Sequence, residues 1–553
     1  MVGQMTGNIL PVTAPLPASV DMLVAGSGAA GLVAALAAAK SGATVLVAEA
    51  GGSIGGTSAI SGGRVWVPVN HYELQAGIAD SVEEAVEYFL ASSPGSEIEL
   101  VRAFVTTAPT MAAWIESTTA HRFVPCLEYP DYYAELPGGK AGGRALDSAP
   151  LDTRPLAAVA DLIRESPSVL PITHEQWRLW RCAHKFDWAL IDQRRARGIT
   201  AGGRALTAAL LHACLAAGVE VATEARVVDL VEDSCGGVKG ATIDRQGRGQ
   251  RVESRACVLA TGGFEWDADL RQRHLREPVA AFGSPPTNRG DAVVLTCGIG
   301  AALDRMDEAW WMPMVHVPGE QIEGQPFFRS LITERGLPRS ILVNAKGSRF
   351  TNEALPYNDL VKAIKLCDSS GATPNTPAWL IFDEGFRSRY SLATIRPDRP
   401  LPSWLIRAPD LAVLASHLGI PGAGLTRAVE EWNQVCASGH DEYFGRGQTV
   451  YERYYGDPDA ENPNLGPIDS PSFYAIPVLA GTIGTKGGPR VDRHARVLRP
   501  GGDPVVGLYA AGNAAAGWVG TGYPGPGTPL SVGMTFAYRA ARHAMGATDR
   551  KRS

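Results

Sequence analysis

Several signals are missing from this chain of 553 residues, and each absence argues against a class of protein. No uninterrupted apolar run reaches about 18 residues, which argues against a transmembrane helix. The net charge of −6 shows no basic excess and argues against a nucleic-acid partner. The eight cysteines form no CxxC pair and no metal-ligand spacing with histidine, so we predict reduced thiols, no metal site and a cytoplasmic protein. Residues 1–19 lack the charged and apolar regions of a signal peptide and are predicted to form a disordered leader.

The segment Asp21–Glu49 carries the strongest positive signal. A short apolar run ends in Gly26-Ser-Gly28-Ala-Ala-Gly31, an Ala/Leu-rich helical stretch follows, and a second apolar run ends on Glu49. This spacing is typical of a dinucleotide site, where the glycines permit a tight turn and the helix N-terminus faces a pyrophosphate. Glu49 can accept hydrogen bonds from ribose hydroxyls. A purely structural strand–helix–strand unit is the alternative. The predicted cofactor contacts are Gly26, Ser27, Gly28, Ala29, Ala30, Gly31, Glu49 and Ala50.

Residues 51–68 form a glycine/serine loop where a simple nicotinamide-binding domain would enter its next helix. Such a loop can wrap an extended cofactor. The loop, directly after the glutamate, resembles the FAD domain of the fumarate reductase/3-ketosteroid dehydrogenase flavoproteins, which implies FAD as cofactor. No second GxGxxG is evident, so oxidation of NAD(P)H is not favoured. The contacts predicted in this loop are Gly56, Thr57, Ser58, Ser61, Gly62 and Gly63.

The same resemblance implies cofactor contacts farther along the chain. Val227 would face the adenine, and a strand leading into Ala260-Thr261-Gly262 would return beside the adenosine half. Asn288 and Asp291 would lie on the flavin side at the start of a helix. Gly512 and Asn513 follow a late strand, and Leu530 opens the last predicted helix, whose N-terminus would favour a reduced, anionic flavin.

The expected fold is therefore of the α/β class. A discontinuous Rossmann-like FAD-binding domain, residues 20–290 and 476–548, would carry an inserted α+β catalytic domain, residues 291–475. Within the insertion, residues 340–352 are predicted to form a β-hairpin. Residues 147–197 contain three tryptophans and are predicted to form a helical cover or lid, or alternatively a simple packing layer.

Four late motifs narrow the chemistry, namely RFTNEALPY, TKGG, GLYAAGN and YPGPG. Together they closely resemble 3-ketosteroid Δ1-dehydrogenases. The resemblance implies that Tyr523 and the N–H of Gly527 bind the ketone oxygen, and that Tyr357 removes the α-proton. Tyr132 would assist Tyr357 and is preferred to Tyr133 because it follows Asp131. A free tyrosine has a pKa of about 10, so Tyr357 needs a lowered pKa or a relay partner.

We therefore expect FAD-dependent α,β-desaturation of a cyclic ketone, most specifically 1,2-dehydrogenation of a 3-ketosteroid. A desaturase of cyclohexanone or 4-oxocyclohexanecarboxylate is the first alternative, because the motifs indicate the reaction better than the substrate. A fumarate-reductase-like enzyme and a flavin-binding partner protein with an inactive site are the others. Each tyrosine taken alone could be a packing residue. The expected electron acceptor is a quinone or a soluble carrier.

Overall fold

In the computed structural model, which describes residues 8–156, 160–276, 278–516 and 518–546, a nine-stranded sheet forms the first layer. Its central strand β2 (Ser19–Ala25) runs parallel to β3 (Val45–Ala48) and to β12 (Arg248–Leu259). On its far side β12 pairs in parallel with β23 (Pro504–Ala510), so the end of the chain completes the sheet. The discontinuous Rossmann-like arrangement is thereby confirmed. The other strands of this sheet are β1 (Ile9–Leu10), β9 (Glu220–Ala222), β10 (Arg226–Glu232), β11 (Val238–Arg245) and β22 (Arg496–Leu498).

Helix α1 (Ala29–Lys40) is apolar nearly all round because it is enclosed on all sides. Gly31 packs against the strand turn, where a Cβ would lie 2.0 Å from the carbonyl oxygen of Gly26. The last helix, α16 (Thr528–Ala544), approaches α1 through Gly533, where a Cβ would lie 3.6 Å from Cβ of Ala30. Small residues thus bring both helices onto the predicted dinucleotide turn.

A seven-stranded sheet forms the core of the inserted domain. Strand β20 (Phe473–Thr485) lies at its centre, pairs with four other strands and then leads back toward the first sheet. This sheet takes residues on both sides of the predicted 291–475 boundaries, which remain a prediction. Its other strands are β13 (Ala281–Phe282), β15 (Ala309–Ile322), β16 (Gln325–Ser330), β17 (Ser340–Val343), β18 (Ala378–Asp383) and β19 (Ile406–Ala408).

The β-hairpin predicted for residues 340–352 is wrong. Strand β17 pairs antiparallel with β18, and Val343 reaches Arg349 only through an isolated bridge. The Arg349 guanidinium is 2.8 Å from Glu353 and 2.9 Å from the distant Asp441. Glu353 also accepts the N–H of Leu342 on β17 at 3.1 Å, so a side chain bonds this strand where the hairpin partner was expected.

The predicted leader also differs from the structure. Strand β1 pairs in parallel with Val221 and Ala222 of β9. Arg245 donates hydrogen bonds to the carbonyl oxygens of Pro11 and Ala14, each at 2.9 Å. Residues 8–18 are thus fastened to the sheet by contacts more than 200 positions away in sequence. Residues 1–7 lie outside the described part.

The remaining elements surround these two sheets. The described part of the chain has no helix long and apolar enough to cross a membrane. All eight cysteines are free thiols. The other helices are α2 (Gly56–Ile60), α3 (His71–Gln75), α4 (Val82–Ser92), α5 (Ile98–Thr118), α6 (His174–Leu179), α7 (Trp188–Ala196), α8 (Gly202–Ala216), α9 (Ala268–His274), α10 (Asp291–Gly298), α11 (Tyr357–Ile364), α12 (Glu384–Arg389), α13 (Leu411–Leu418), α14 (Gly422–Ser438) and α15 (Val450–Tyr455). The small strands are β4 (Val65–Trp66), β5 (Phe123–Pro125), β6 (Ala145–Ser148), β7 (Leu151–Asp152), β8 (Ile199–Thr200), β14 (Leu303–Asp304) and β21 (Gly488–Pro489).

The contact at Gly31 leads to a stability prediction. In Gly31→Ala the new methyl group would meet the Gly26 carbonyl at 2.0 Å, so we expect a loss of about 1–3 kcal/mol in the free energy of unfolding. Gly298→Ala is the control, because no atom lies within 4 Å of the added Cβ. Thermal unfolding of the two variants tests this. Equal melting temperatures would show that α1 does not depend on a glycine there.

Candidate active site

Almost every residue predicted to belong to the site lines one cavity of about 690 Å³. It reaches from the glycine turn before α1 to the tyrosines of the inserted domain and the YPGPG loop. Ala29 and Gly31 do not line it. The N–H of Ala29 donates to Ser58 Oγ at 3.0 Å, and Gly31 packs against the Gly26 carbonyl. The residues that do line it are Gly26, Ser27, Gly28, Ala30, Glu49, Ala50, Gly56, Thr57, Ser58, Ser61, Gly62, Gly63, Tyr132, Val227, Ala260, Thr261, Gly262, Asn288, Asp291, Tyr357, Gly512, Asn513, Tyr523, Gly527 and Leu530.

The dinucleotide end of the cavity is built around Glu49. Its buried carboxylate accepts hydrogen bonds from the hydroxyl and N–H of Ser27, at 2.5 and 3.0 Å, and from the N–H of Gly51 at 2.9 Å. Oε2 accepts both bonds from Ser27, whereas Oε1 accepts only the bond from Gly51 and keeps lone-pair capacity for a ribose hydroxyl. No side chain caps α1 through its N-cap residue Gly28, which leaves room for a phosphate. These residues fit the adenosine diphosphate half of FAD.

Asp291 differs from the expectation that it lies on the flavin side. Its carboxylate pairs with Arg226 at 2.5 Å, next to Val227 on β10. Burial raises the pKa of Asp291, Arg226 lowers it, and repulsion from Glu49 raises it further. The interaction with Glu49 places Asp291 at the dinucleotide end.

Three tyrosine rings meet at the other end of the cavity. Tyr132 and Tyr357 lie with their hydroxyl oxygens 2.5 Å apart, and the Tyr523 ring centroid is 5.3 and 5.1 Å from theirs. Tyr133 points elsewhere, because its hydroxyl donates to Asp359 at 2.8 Å. The rings come from three distant segments of the chain, and all three are buried.

Burial has the largest effect on the pKa values of these tyrosines. It raises the pKa of Tyr357 well above the ordinary value, while the hydrogen bond with Tyr132 lowers it. Burial likewise raises the pKa of Tyr523, whereas Tyr357, the charge of Arg64 and the N–H of Gly527 lower it. Tyr132 is thus the hydrogen-bonding partner that opposes the effect of burial on the pKa of Tyr357.

Gly527 occupies a position that only glycine fits. Its φ is +81°, and a Cβ would lie 2.0 Å from the carbonyl oxygen of Arg64. It is the N-cap of α16, so its N–H stands at the positive end of the helix. This N–H also lies close to the Tyr523 hydroxyl and lowers the pKa of that group.

The loop before Tyr523 is held by lysines that bind its carbonyl groups. Lys486 Nζ donates to the carbonyl oxygens of Gly520 and Gly522 at 2.8 and 2.7 Å, and Lys362 Nζ donates to Thr521 at 2.5 Å. Burial lowers the pKa of Lys486 to about 7. These donors fix the backbone that carries Tyr523.

A buried ion-pair network holds the segment of Tyr132. Asp131 accepts from Trp66 Nε1 at 2.7 Å and from Arg144 at 2.7 Å, and Arg144 also pairs with Asp80 at 2.6 Å. Burial raises the pKa of Asp131 to about 6, and Arg144 lowers it. Asp131 therefore serves to position Tyr132.

Sequence reasoning missed several residues of the tyrosine end. They are Arg64, Tyr129, His174, Trp177, Arg181 and Tyr455. Arg64 had a visible signal, since it is the one charged residue in the glycine/serine loop at 51–68. Trp177 and Trp188, from the predicted cover, both line the cavity. The others gave no local signal, because their positions depend on contacts between distant segments.

Among the residues that the structure describes, Cys182, Asp457 and Asp459 lie close enough together to resemble a metal-ligand set. Their acids are already engaged, because Asp457 binds Arg389 at 2.6 Å and the Tyr390 hydroxyl at 2.7 Å, and Asp459 pairs with Lys185. This group lies outside the cavity wall, and the expectation of no metal site remains a prediction.

Comparison with known proteins gives the family. The sequence matches the FAD binding domain family over residues 21–530. The chain belongs to this family. A 4-oxocyclohexanecarboxylate 2-dehydrogenase of Sinomonas cyclohexanicum is 39% identical over 95% of this chain and 93% of the relative. A 3-oxosteroid 1-dehydrogenase of Mycobacterium tuberculosis is 36% identical over 95% of this chain and 98% of the relative.

Solved structures agree with this family assignment. The 3-ketosteroid Δ1-dehydrogenase of Sterolibacterium denitrificans, solved with 1,4-androstadiene-3,17-dione, has a TM-score of 0.90 and 35% identity, covering 96% of this chain and all of that one. An open flavocytochrome c3 fumarate reductase is more distant, with a TM-score of 0.65 and 23% identity over 96% of this chain and 79% of that one. This flavoprotein is therefore an FAD-dependent oxidoreductase of the type that acts on CH–CH groups, as predicted.

The anchoring of the Tyr523 loop leads to a kinetic prediction. Lys486→Met removes two hydrogen bonds to the loop, so we expect kcat to fall about 10- to 100-fold while FAD remains bound. Lys239→Met, at an exposed position on β11, is the control. Turnover and flavin absorbance of both variants test this. Unchanged turnover in Lys486→Met would show that the loop is held by other contacts.

The same lysine predicts how stability changes with pH. The pKa of Lys486 is about 7 in the fold and near 10.5 unfolded, so between these values the unfolded chain binds more protons. The free energy of unfolding contributed by this group therefore rises with pH across that window. Wild type should gain stability relative to Lys486→Met between pH 7 and pH 9.5, as read from melting temperatures. A constant difference would contradict the shifted pKa.

Proposed function

We propose that this flavoprotein desaturates a cyclic ketone between the carbons α and β to the carbonyl group. The observation that supports this most strongly is the buried Tyr132–Tyr357–Tyr523 cluster in the cavity of an FAD-binding fold. Bound FAD supplies the two-electron acceptor for the β-hydride, and an external quinone or soluble carrier accepts the electrons afterwards.

The chain's own residues carry the proton chemistry. The Tyr523 hydroxyl and the Gly527 N–H hold the ketone oxygen and stabilise the negative charge that develops on it. Tyr357, as the phenolate, takes the α-proton, and its hydrogen bond with Tyr132 stabilises that phenolate. The α C–H bond breaks to give an enolate. Departure of the β-hydride then forms the carbon–carbon double bond and restores the carbonyl group.

The second part of the proposal concerns the number of rings in the substrate. A 3-ketosteroid, which the sequence analysis ranks first, and a one-ring ketone present the same carbonyl group and the same α-proton to this machinery. Relatives named for both substrate classes match the chain at similar identity. The two classes differ in what the cavity must contact beyond the ketone, namely fused hydrocarbon rings or a small substituent.

The tyrosine roles are tested by anaerobic mixing with cyclic ketones, following bleaching of the oxidised flavin band. Tyr357→Phe and Tyr523→Phe should each slow bleaching by about 10²–10³-fold and still bind FAD. Tyr133→Phe is the matched control, because this neighbouring hydroxyl contacts Asp359 and not the cluster. Bleaching at the wild-type rate in Tyr523→Phe would refute the ketone-binding role.

Oxidation of the reduced flavin by fumarate, with no response to any ketone, would favour the fumarate-reductase alternative.

A further inference from the structure

A guanidinium group without a matching acid lies in the wall of the tyrosine end. Arg64 precedes β4, lines the cavity and is half-buried. Its backbone carbonyl lies directly against Gly527, the proposed oxyanion donor. Its charge also lowers the pKa of Tyr523. Arg64 is therefore a near neighbour of the ketone subsite.

The contacts of Arg64 orient it without neutralising it. Its Nη1 is 3.0 Å from His174 Nδ1, and because arginine only donates, Nδ1 must be the acceptor. His174 Nε2 then carries the hydrogen and donates to the Tyr454 hydroxyl at 2.9 Å. Burial, followed by the charge of Arg64, lowers the pKa of His174 well below its ordinary value, so the ring is neutral.

The arginines in the cavity wall, Arg64 included, divide into two groups. Arg195, Arg329 and Arg396 have acidic partners within 4 Å, at 3.7, 2.6 and 2.6 Å. Arg64 and Arg181 have no carboxylate within that distance among the residues that the structure describes. Asp147 raises the pKa of Arg64 from beyond that distance, and its carboxylate already accepts the backbone N–H of His174 at 2.6 Å. Arg181 instead donates to the carbonyl oxygen of Tyr454 at 2.7 Å, so Arg64 is the guanidinium that keeps free donors toward the cavity.

A fused hydrocarbon substrate would leave Arg64 buried with most of its N–H groups unbonded. In the described chain only its bond to His174 is made, and burying a charged donor without a partner is costly. A carboxylate satisfies a guanidinium through two parallel, charge-assisted hydrogen bonds. It would also balance the charge of Arg64. The same part of the cavity wall thus holds the proposed ketone donors and a cation without an ion-pair partner.

We propose that Arg64 binds a carboxylate group of the substrate, which makes the substrate a one-ring keto acid and not a steroid. This inference rests on the proposed desaturation and specifies its substrate class. His174 is the positioning residue that holds the guanidinium in place. The redox step is unchanged, because the carboxylate only binds.

The test compares 4-oxocyclohexanecarboxylate with its methyl ester and with androst-4-ene-3,17-dione. We expect kcat/KM of wild type to be about 100-fold or more higher for the keto acid than for the ester. Arg64→Met should remove that preference, mainly by raising KM for the acid, with the ester affected less than about threefold. Arg64→Lys keeps the charge but lacks the planar guanidinium, so its preference for the keto acid over the ester should lie between those of wild type and Arg64→Met. Arg102→Met is the control, because Arg102 pairs with Glu83 at the surface, away from the cavity.

A second measurement keeps the inference testable if Arg64 variants fail to fold. Cyclohexanecarboxylate, which has no ketone, should compete with the substrate on wild type, and methyl cyclohexanecarboxylate should not. Desaturation of the steroid or ester as fast as the keto acid, or competition by acid and ester alike, would overturn the carboxylate subsite while leaving the desaturase proposal intact. If none of the three ketones is desaturated, the proposed function itself fails.

Discussion

The hydrogen bond between the hydroxyl groups of Tyr132 and Tyr357 is the interaction on which this site depends. A phenol taken out of water ionises less readily, and burial raises the pKa of both tyrosines. A base made from such a group needs a donor that stabilises its phenolate at short range, and the 2.5 Å contact supplies one. Tyr132 lies in the predicted FAD-binding part of the chain and Tyr357 in the predicted inserted domain, so the proposed base needs both parts in place.

Much of the surrounding structure holds the segments that carry these tyrosines in place. Ion pairs of Asp131, Arg144 and Asp80 fix the backbone beside Tyr132, and two lysines bind the carbonyl groups before Tyr523. Glycines at 31 and 527 allow contacts that a Cβ would block. Buried charge is costly, and here it fixes the backbone beside the tyrosines that are proposed to act on the ketone.

Short sequence motifs predicted the fold and the site correctly where residues close together in the sequence determine the structure. The glycine turn before α1, the return of β23 to the first sheet and the three tyrosines followed from short motifs and the family they resemble. Predictions failed where distant residues decide, as with the contacts of Arg349 to Asp441 and of Arg245 to Pro11 and Ala14. Arg64 was visible in the sequence, but its orientation depends on His174, 110 positions away.

Exchange of the α-hydrogen tests the central claim most directly, because it follows the tyrosines without the redox step. A ketone that the enzyme desaturates is incubated anaerobically in D2O with the reduced enzyme, and the recovered ketone is analysed by mass spectrometry. We expect wild type to catalyse deuterium incorporation next to the carbonyl group and Tyr357→Phe to lack this activity. Incorporation by Tyr357→Phe at the wild-type rate would contradict it, since another group would then be the base.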